Sequence, residues 1–378
     1  MAVPARTPRL EQREAARIAR RLEALVDLGF ERSFVPTVQT ESARVDARTA
    51  RVTCGRPAMG TLVSVTAVGP SEDGLADAAG AAFEEMDRLV ALLSRRDRAS
   101  PVSHLNRGGR LDGPPPEVAR VVRSALDFHR STGGAFDVTV APLVMLLESR
   151  ADAAAEGALR GASAGEAGGG APSPSLPTDA ELREALALVG ARHLAVKRRR
   201  ISFERPGMAI TLDGIAKGFI VDRIARVLDR RGVRRYLVNA GGDIRTRGAN
   251  ERGEPWTIAV RDPSGGPFPD AIRLSDGAVA TSGGYEVHYD DARSRHHIVD
   301  ASTGRSPDRC AGASVVAPDA MTADALATAV FVMGPEAGAA FVERLSGCAC
   351  LAIGRDGRMT KSRGWRSVAL PEGSEAIP

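Results

Sequence analysis

Helix-period and strand-period segments alternate along this chain without settling into a strand–helix–strand repeat, and that irregularity constrains the fold most. A doubly wound parallel sheet requires the repeat, because each parallel crossover must run back over the sheet face, usually as a helix. The pattern therefore implies an α+β class, with mixed or antiparallel sheets and helices packed against them. At 378 residues the chain can bury a large core, as one big domain or two modest ones.

Residues 1–50 read as an N-terminal appendage. Residues 10–30 have helical periodicity, with Ile18, Leu22, Leu25 and Val26 on one side, and residues 40–51 form a polar connector. The main domain is expected over residues 51–360. It opens with a β-branched run at 61–66, followed by a helix at 75–93, a polar loop at 94–109 and a helix at 116–131. A glycine turn then leads into a short apolar element at 132–144. Residues 151–177 are almost wholly Ala, Gly, Ser, Pro and Glu. They lack the apolar surface to offset their ordering entropy and read as a disordered insertion. Beyond them come a helix at 178–189 and strands near 193–197, 200–204, 236–239, 256–260, 277–281 and 314–316. A helix at 322–333 follows, and residues 361–378 read as a C-terminal tail.

The stretch TLDGIAKGFIVDRIARVL, residues 211–228, joins a small-residue turn carrying Lys217 to an amphipathic helix. Ile220, Ile224, Val227 and Leu228 share one face and Asp222, Arg223 and Arg226 another. A helix starting at such a turn offers free N–H groups, a dipole end and a cation, which together suit a phosphate. The same pattern also describes an ordinary turn into a core helix. Lys197, Lys217 and Lys361 are the only lysines in a chain that otherwise uses arginine, so Lys217 can be read as a compact point charge.

Several function classes are disfavoured. The net charge of +4 is small for this length, and no basic patch interleaved with aromatics is present, so nucleic acid is not an expected partner. No run is long and apolar enough for a transmembrane segment, and no signal pattern precedes Cys54. Cys54, Cys310, Cys348 and Cys350 fit neither a disulfide framework nor a zinc knuckle, which points to a reducing, cytoplasmic location.

Asp324 and Thr328, four residues apart, place two oxygens on one helix face, where they could hold a hard cation or serve only as a helix-terminal acid and a core threonine. His296 and His297 lie in RHHIVDASTG. A histidine beside a carboxylate can be a general base, and the same pair could be a surface loop. Gly241-Gly242-Asp243 and Ser282-Gly283-Gly284 close strands with small residues that admit a ligand to the backbone. Neither GxGxxG nor a Walker A motif occurs.

Taken in order, MGTLVSV, MDRLVALLSRRDRASPVSHLNR, TGGAFDVTVAPL, LDGIAKGFIVDRIARVL, YLVNAGGDIRTRG, WTIAVRDP, VATSGGYE, HHIVDASTGRSP and TADALATAVFVMG closely resemble the FAD:protein FMN transferases of the ApbE type. The resemblance spans residues 55–355 apart from the low-complexity stretch. It implies an ApbE-like, T-fold-like architecture and a Mg²⁺-dependent transferase. Such an enzyme cleaves the FAD pyrophosphate and moves FMN to a Thr or Ser hydroxyl of an electron-transport flavoprotein, releasing AMP. The family's acceptor motif is Asp-x-x-Ser/Thr-Gly-Ala-Ser/Thr. By motif, Asp324, Thr328 and the Gly214 carbonyl would hold the metal. Met59, Ala135, Phe136, Asp137, Lys217 and the backbone near Ile298 would contact the flavin, and His297 would be the base.

Three departures accompany the resemblance. Arg96 replaces a common aromatic. Thr211 stands where the family has an aspartate that contacts FAD, and Asp213 carries a carboxylate two residues on. No export signal or lipobox is seen. Two other readings share the same motifs: a FAD pyrophosphatase giving FMN and AMP, and a flavin-binding protein without turnover.

Overall fold

The computed structural model describes residues 38–163 (side chains to 153), 177–290 and 294–370. Strands β1 (Gln39–Asp46), β2 (Thr49–Ala58) and β3 (Thr61–Gly69) form a meander leading into helix α1 (Glu72–Leu93). Ser71 caps α1, its hydroxyl accepting the Gly74 N–H at 3.2 Å. Then come α2 (Pro101–Gly108), β4 (Arg110–Asp112), α3 (Pro116–Ser131), α4 (Ala141–Ser163), α5 (Asp179–Leu186), β5 (Leu194–Lys197) and β6 (Arg200–Phe203). Helix α6 (Ala216–Arg230) precedes β7 (Tyr236–Ala240), β8 (Asp243–Arg247), β9 (Trp256–Val260), β10 (Asp270–Leu274) and β11 (Gly277–Gly283). The last elements are β12 (Cys310–Ala317), α7 (Ala320–Met333), α8 (Pro335–Val342), β13 (Ala349–Gly354) and β14 (Met359–Lys361).

Nine strands make one sheet in the order β1-β2-β3-β7-β8-β11-β12-β13-β14, and every neighbouring pair is antiparallel. The α+β expectation is thereby met. Both faces of the central strands are covered, and the period-2 geometry sorts their side chains. Tyr236 and Val238 point into the helical layer, while Leu237 points the other way. Cys350 and Ala352 divide from Leu351 and Ile353 in the same manner. The helical layer centres on α1, α6 and α7. Its buried Ile220, Ile224 and Leu228 each contribute roughly 1.5–3 kcal/mol by leaving water.

The second layer is the β9–β10 ribbon, where Trp256, Ile258, Val260 and Ile272 meet Trp365. Asp270, 8% exposed, fastens the chain after β14 to this ribbon. Its Oδ2 accepts from Trp365 Nε1 (3.1 Å) and Ser367 Oγ (2.9 Å), with Lys361 Nζ at 2.7 Å. Burial alone would raise the Asp270 pKa, but Lys361 and these donors hold it below the ordinary value of 3.8. A depressed carboxylate stabilises the fold fully above its unfolded pKa, and that contribution is lost as pH falls through the folded value. Asp270→Asn is therefore expected to cost about 1–2 kcal/mol at pH 7 and to flatten the loss of Tm below pH 4, measured by thermal denaturation across pH.

Several expectations require correction. The polar connector at 40–51 contains β1, an edge strand whose side chains are exposed along its length, so no hydrophobic alternation marks it. The polar loop at 94–109 contains α2, signalled only by its ends: Ser100 as N-cap, Pro101 at the first turn and Gly109 at φ 68°. The disordered reading of 151–177 does not hold for its first part, since α4 continues to Ser163. Residues 164–176 lie outside the described residues, as does the helix expected at 10–30. The tail expected from 361 is anchored as far as Val368, whose N–H donates to the Ala271 carbonyl at 2.8 Å.

Candidate active site

Four element ends meet on the helical side of the sheet: the start of α6, the β7–β8 turn, the end of β11 and the first turns of α7. Helix α6 begins after Ile215, which offers no side-chain cap. The cap comes from another helix. Asp324 of α7 accepts the Gly218 N–H on Oδ2 at 2.9 Å, satisfying one of the orphan donors of α6. This contact requires glycine: a Cβ at residue 218 would lie 2.2 Å from the Ala320 carbonyl oxygen and 2.8 Å from Asp324 Cβ. Gly218→Ala must push α6 and α7 apart, with an expected loss of about 3 kcal/mol in chemical denaturation. A conservative change such as Ile224→Val should lose less, about 1 kcal/mol.

Lys217, on the same turn, places Nζ 3.1 Å from Asp243 Oδ2 at the start of β8. Burial works against the ammonium, but Asp243, Glu286 and Asp324 keep it charged. Burial raises Asp243, and Lys217 only partly reverses this. Asp324, 4% exposed, is raised well above the carboxylate range by burial and then by the charge of Asp243. Two buried carboxylates thus share a single ammonium, and the site is short of positive charge.

The residues proposed for a metal are brought together here. A Cβ on Gly214 would stand 2.9 Å from Thr328 Oγ1 and 3.3 Å from the Phe136 ring. Thr328 Oγ1 in turn lies 3.2 Å from Ser282 Oγ at the end of β11. Among the described residues no three His, Cys, Asp or Glu side chains converge as a metal group. The candidates would instead offer one carboxylate, one hydroxyl and one carbonyl, all hard oxygen donors. With the carboxylate buried and undercompensated, such a set fits a divalent cation that retains several waters.

Of the flavin candidates, the Met59 turn and Phe136 adjoin these element ends. Met59 has φ 52° and Gly60 φ 73°, so a non-glycine residue occupies the left-handed region in the two-residue β2–β3 turn. That turn abuts the β7–β8 turn, where a Cβ on Gly241 would strike Thr61 Oγ1 at 2.3 Å. Phe136 packs against Phe128 at 6.1 Å and against Gly214, next to Ala135. The Asp137 carboxylate is engaged within the protein. Its Oδ1 accepts from Thr139 N–H (2.7 Å) and Oγ1 (2.6 Å), and its Oδ2 accepts from Ala191 N–H (3.3 Å) and faces His129 Nδ1 (3.2 Å). Asp137 therefore shapes the turn that presents Ala135 and Phe136. Ile298 is buried beside His297, 7% exposed.

The adjacent histidines have different surroundings. His296 is 1% exposed, stands edge-on to Phe331 at 5.4 Å and places Nε2 3.2 Å from the Pro307 carbonyl. Burial pushes its pKa down to about 4, so it is a neutral core residue. His297 donates its backbone N–H to the Val287 carbonyl at 3.3 Å, and its buried Nδ1 has no hydrogen-bond partner among the described residues. Burial lowers its pKa more than the nearby Glu286 raises it, leaving a neutral imidazole suited to accept a proton.

The three unusual positions form one network. Thr211 Oγ1 accepts the Asp213 N–H at 3.2 Å, while the Asp213 carboxylate takes Arg95 Nε at 3.1 Å. Arg95 also forks onto Glu148 at 3.0 and 2.6 Å, and Arg96 joins Glu148 at 2.8 Å. Sequence reasoning singled out neither Arg95 nor Glu148, which meet from 53 residues apart. Glu286 was also missed: it acts on Lys217, Asp324 and His297, and its only sequence signal is its place after Ser282-Gly283-Gly284.

The sequence profile of the ApbE family matches residues 59–352. The FAD:protein FMN transferase of Vibrio cholerae is 33% identical over 303 residues, 76% of this chain and 83% of that protein. The FAD:protein FMN transferase of Salmonella typhimurium is 29% identical over 319 residues, 82% and 85% of the two chains. Among solved structures, the flavin transferase ApbE from Vibrio cholerae superposes with a TM-score of 0.67 at 29% identity, covering 86% of this chain and 98% of that one. The ApbE protein of Thermotoga maritima gives 0.69 at 29% identity, covering 86% and 97%. With its profile match running from the Met59 turn through the metal candidates to β13, this chain belongs to the ApbE family.

Proposed function

We propose that the protein is a Mg²⁺-dependent FAD:protein FMN transferase. In this reading the Met59 turn, the Ala135-Phe136 turn, Lys217 and the backbone at Ile298 hold the flavin half of FAD. Asp324, Thr328 and the Gly214 carbonyl hold the cation, which when bound supplies charge neutralisation at the pyrophosphate. Lys217 keeps its proton because Asp243 faces it, so it remains a fixed positive charge. His297 takes the proton of an acceptor Ser or Thr hydroxyl as that oxygen bonds to the FMN phosphorus. The bond from phosphorus to the AMP oxygen breaks, and AMP leaves with that oxygen.

The observation that carries this reading is the buried Asp324 carboxylate, set against the Lys217 turn and one helical turn from Thr328. Incubation with FAD, Mg²⁺ and a domain bearing the acceptor motif should give a fluorescent flavin band that survives denaturing electrophoresis. Free FMN appearing without any acceptor, at a comparable rate, would assign the bond cleavage to hydrolysis. Bound FAD with neither product would leave a binding protein.

A further inference from the structure

Helices α6 and α7 cap each other reciprocally. Asp324, one turn beyond Ala320 in α7, accepts the Gly218 N–H of α6. Asp222, one turn beyond Gly218 in α6, returns the contact. Its Oδ1 accepts the Ala320 N–H at 2.9 Å and its Oδ2 the Met321 N–H at 3.0 Å. The next amide of α7, Thr322 N–H, is taken by Asp319 at 2.9 Å, so the helix start is fully tied. Arg245 of β8 donates to the Pro318 carbonyl just before α7 and stands 3.9 Å from Asp222 Oδ1. Each element that supplies a charged site residue therefore supplies a second group to this junction: Lys217 and Asp222 from α6, Asp243 and Arg245 from β8, Asp324 and the amides of its own first turn from α7.

We infer that Asp222 is a positioning residue that sets the separation of the Lys217 turn from Asp324. Both of its carboxylate oxygens are engaged by the α7 N-terminus, and it acts through that helix start. Without it, the two Ala320 and Met321 amides lose their acceptor. The α6–α7 contact would then keep only one of its two caps, the Asp324 bond to the Gly218 N–H, over apolar packing that tolerates sliding, and Gly218 would no longer be fixed against Ala320 from both helices. The consequence for the metal rests on the functional reading above; the consequence for the Gly218 amide does not.

The test uses the full chain as wild type, Asp222→Ala, Asp222→Asn and, as a destabilised control in the opposite layer, Ile353→Ala. Hydrogen exchange in metal-free buffer should show Gly218 exchanging at least about tenfold faster in Asp222→Ala, while the Ile224 amide in the middle of α6 changes much less. The Mg²⁺ concentration giving half of the metal-induced rise in Tm should increase about tenfold, with kcat falling more than the FAD KM rises. Asp222→Asn, whose amide oxygen can still accept one of the two N–H groups, should recover part of both effects. Ile353→Ala should lower Tm and leave both readouts at wild-type values. If Asp222→Ala merely loses Tm as Ile353→Ala does, with Gly218 exchange and the Mg²⁺ midpoint unchanged, the inference is overturned. A wild-type protein with no Mg²⁺ response would overturn the functional reading instead, and Gly218 exchange would still decide the role of Asp222.

Discussion

Asp324→Asn is expected to abolish Mg²⁺-dependent FMN transfer, a loss of about 10³-fold, without unfolding the protein. The two effects separate because Asp324 has two partners of different kinds. The Gly218 N–H needs only an acceptor, which the amide oxygen of asparagine supplies at the same place. The proposed cation needs the charge, which asparagine lacks. In metal-free buffer the variant should be at least as stable as wild type, because a carboxylate buried beside Asp243 has been neutralised. Magnesium should then separate the proteins. At about a hundred times its Kd it should stabilise wild type by about 2.7 kcal/mol and the variant by nothing measurable. Thermal denaturation with and without Mg²⁺, alongside the transfer assay, reads both. Retained Mg²⁺ stabilisation in Asp324→Asn would place the metal elsewhere.

His297→Asn is expected to lower kcat by about 10²–10⁴-fold with FAD binding unchanged, as removal of a general base does. The pH profile gives the sharper test. A base works deprotonated, and burial holds His297 below the ordinary histidine value of 6.5. At Mg²⁺ concentrations that keep the metal site filled, and so Asp324 ionised, activity should therefore rise with pH along a single acid limb centred below 6.5 and then level off, and His297→Asn should remove that limb. His296→Asn serves as the contrast. It disturbs a core ring packed on Phe331, so it should cost stability and leave the position of the limb alone. If the two substitutions behave alike, His297 is another buried structural histidine.

Much of this architecture could be read from the sequence because its strongest signals are periodic. The buried face of α6 and the continuous apolar run of β7 stand out since both sheet faces are covered and hydrophobicity decides those positions. The edge strand β1 and the short α2 were invisible for the opposite reason: one buries no side chains and the other is defined by its caps. At the site, motif spacing sufficed for Asp324 with Thr328, which lie on one helix. It could not reveal that Asp324 caps α6 or that Asp222 returns the contact, because those partners are about a hundred residues apart. The unusual Thr211, Asp213 and Arg96 looked like isolated departures. Arg95 and Glu148 make them one network, in which Asp213, next to Gly214, and Glu148 share the Arg95 guanidinium.

The most direct measurement is the intact mass of a purified acceptor domain after incubation with this protein, FAD and Mg²⁺, with AMP counted in the same reaction. The proposed transfer predicts an acceptor heavier by one FMN less one water, located on a single Ser or Thr, with one AMP released per modified chain and no reaction when Mg²⁺ is chelated. An unmodified acceptor, with FAD shown to be bound and Mg²⁺ present, would contradict it.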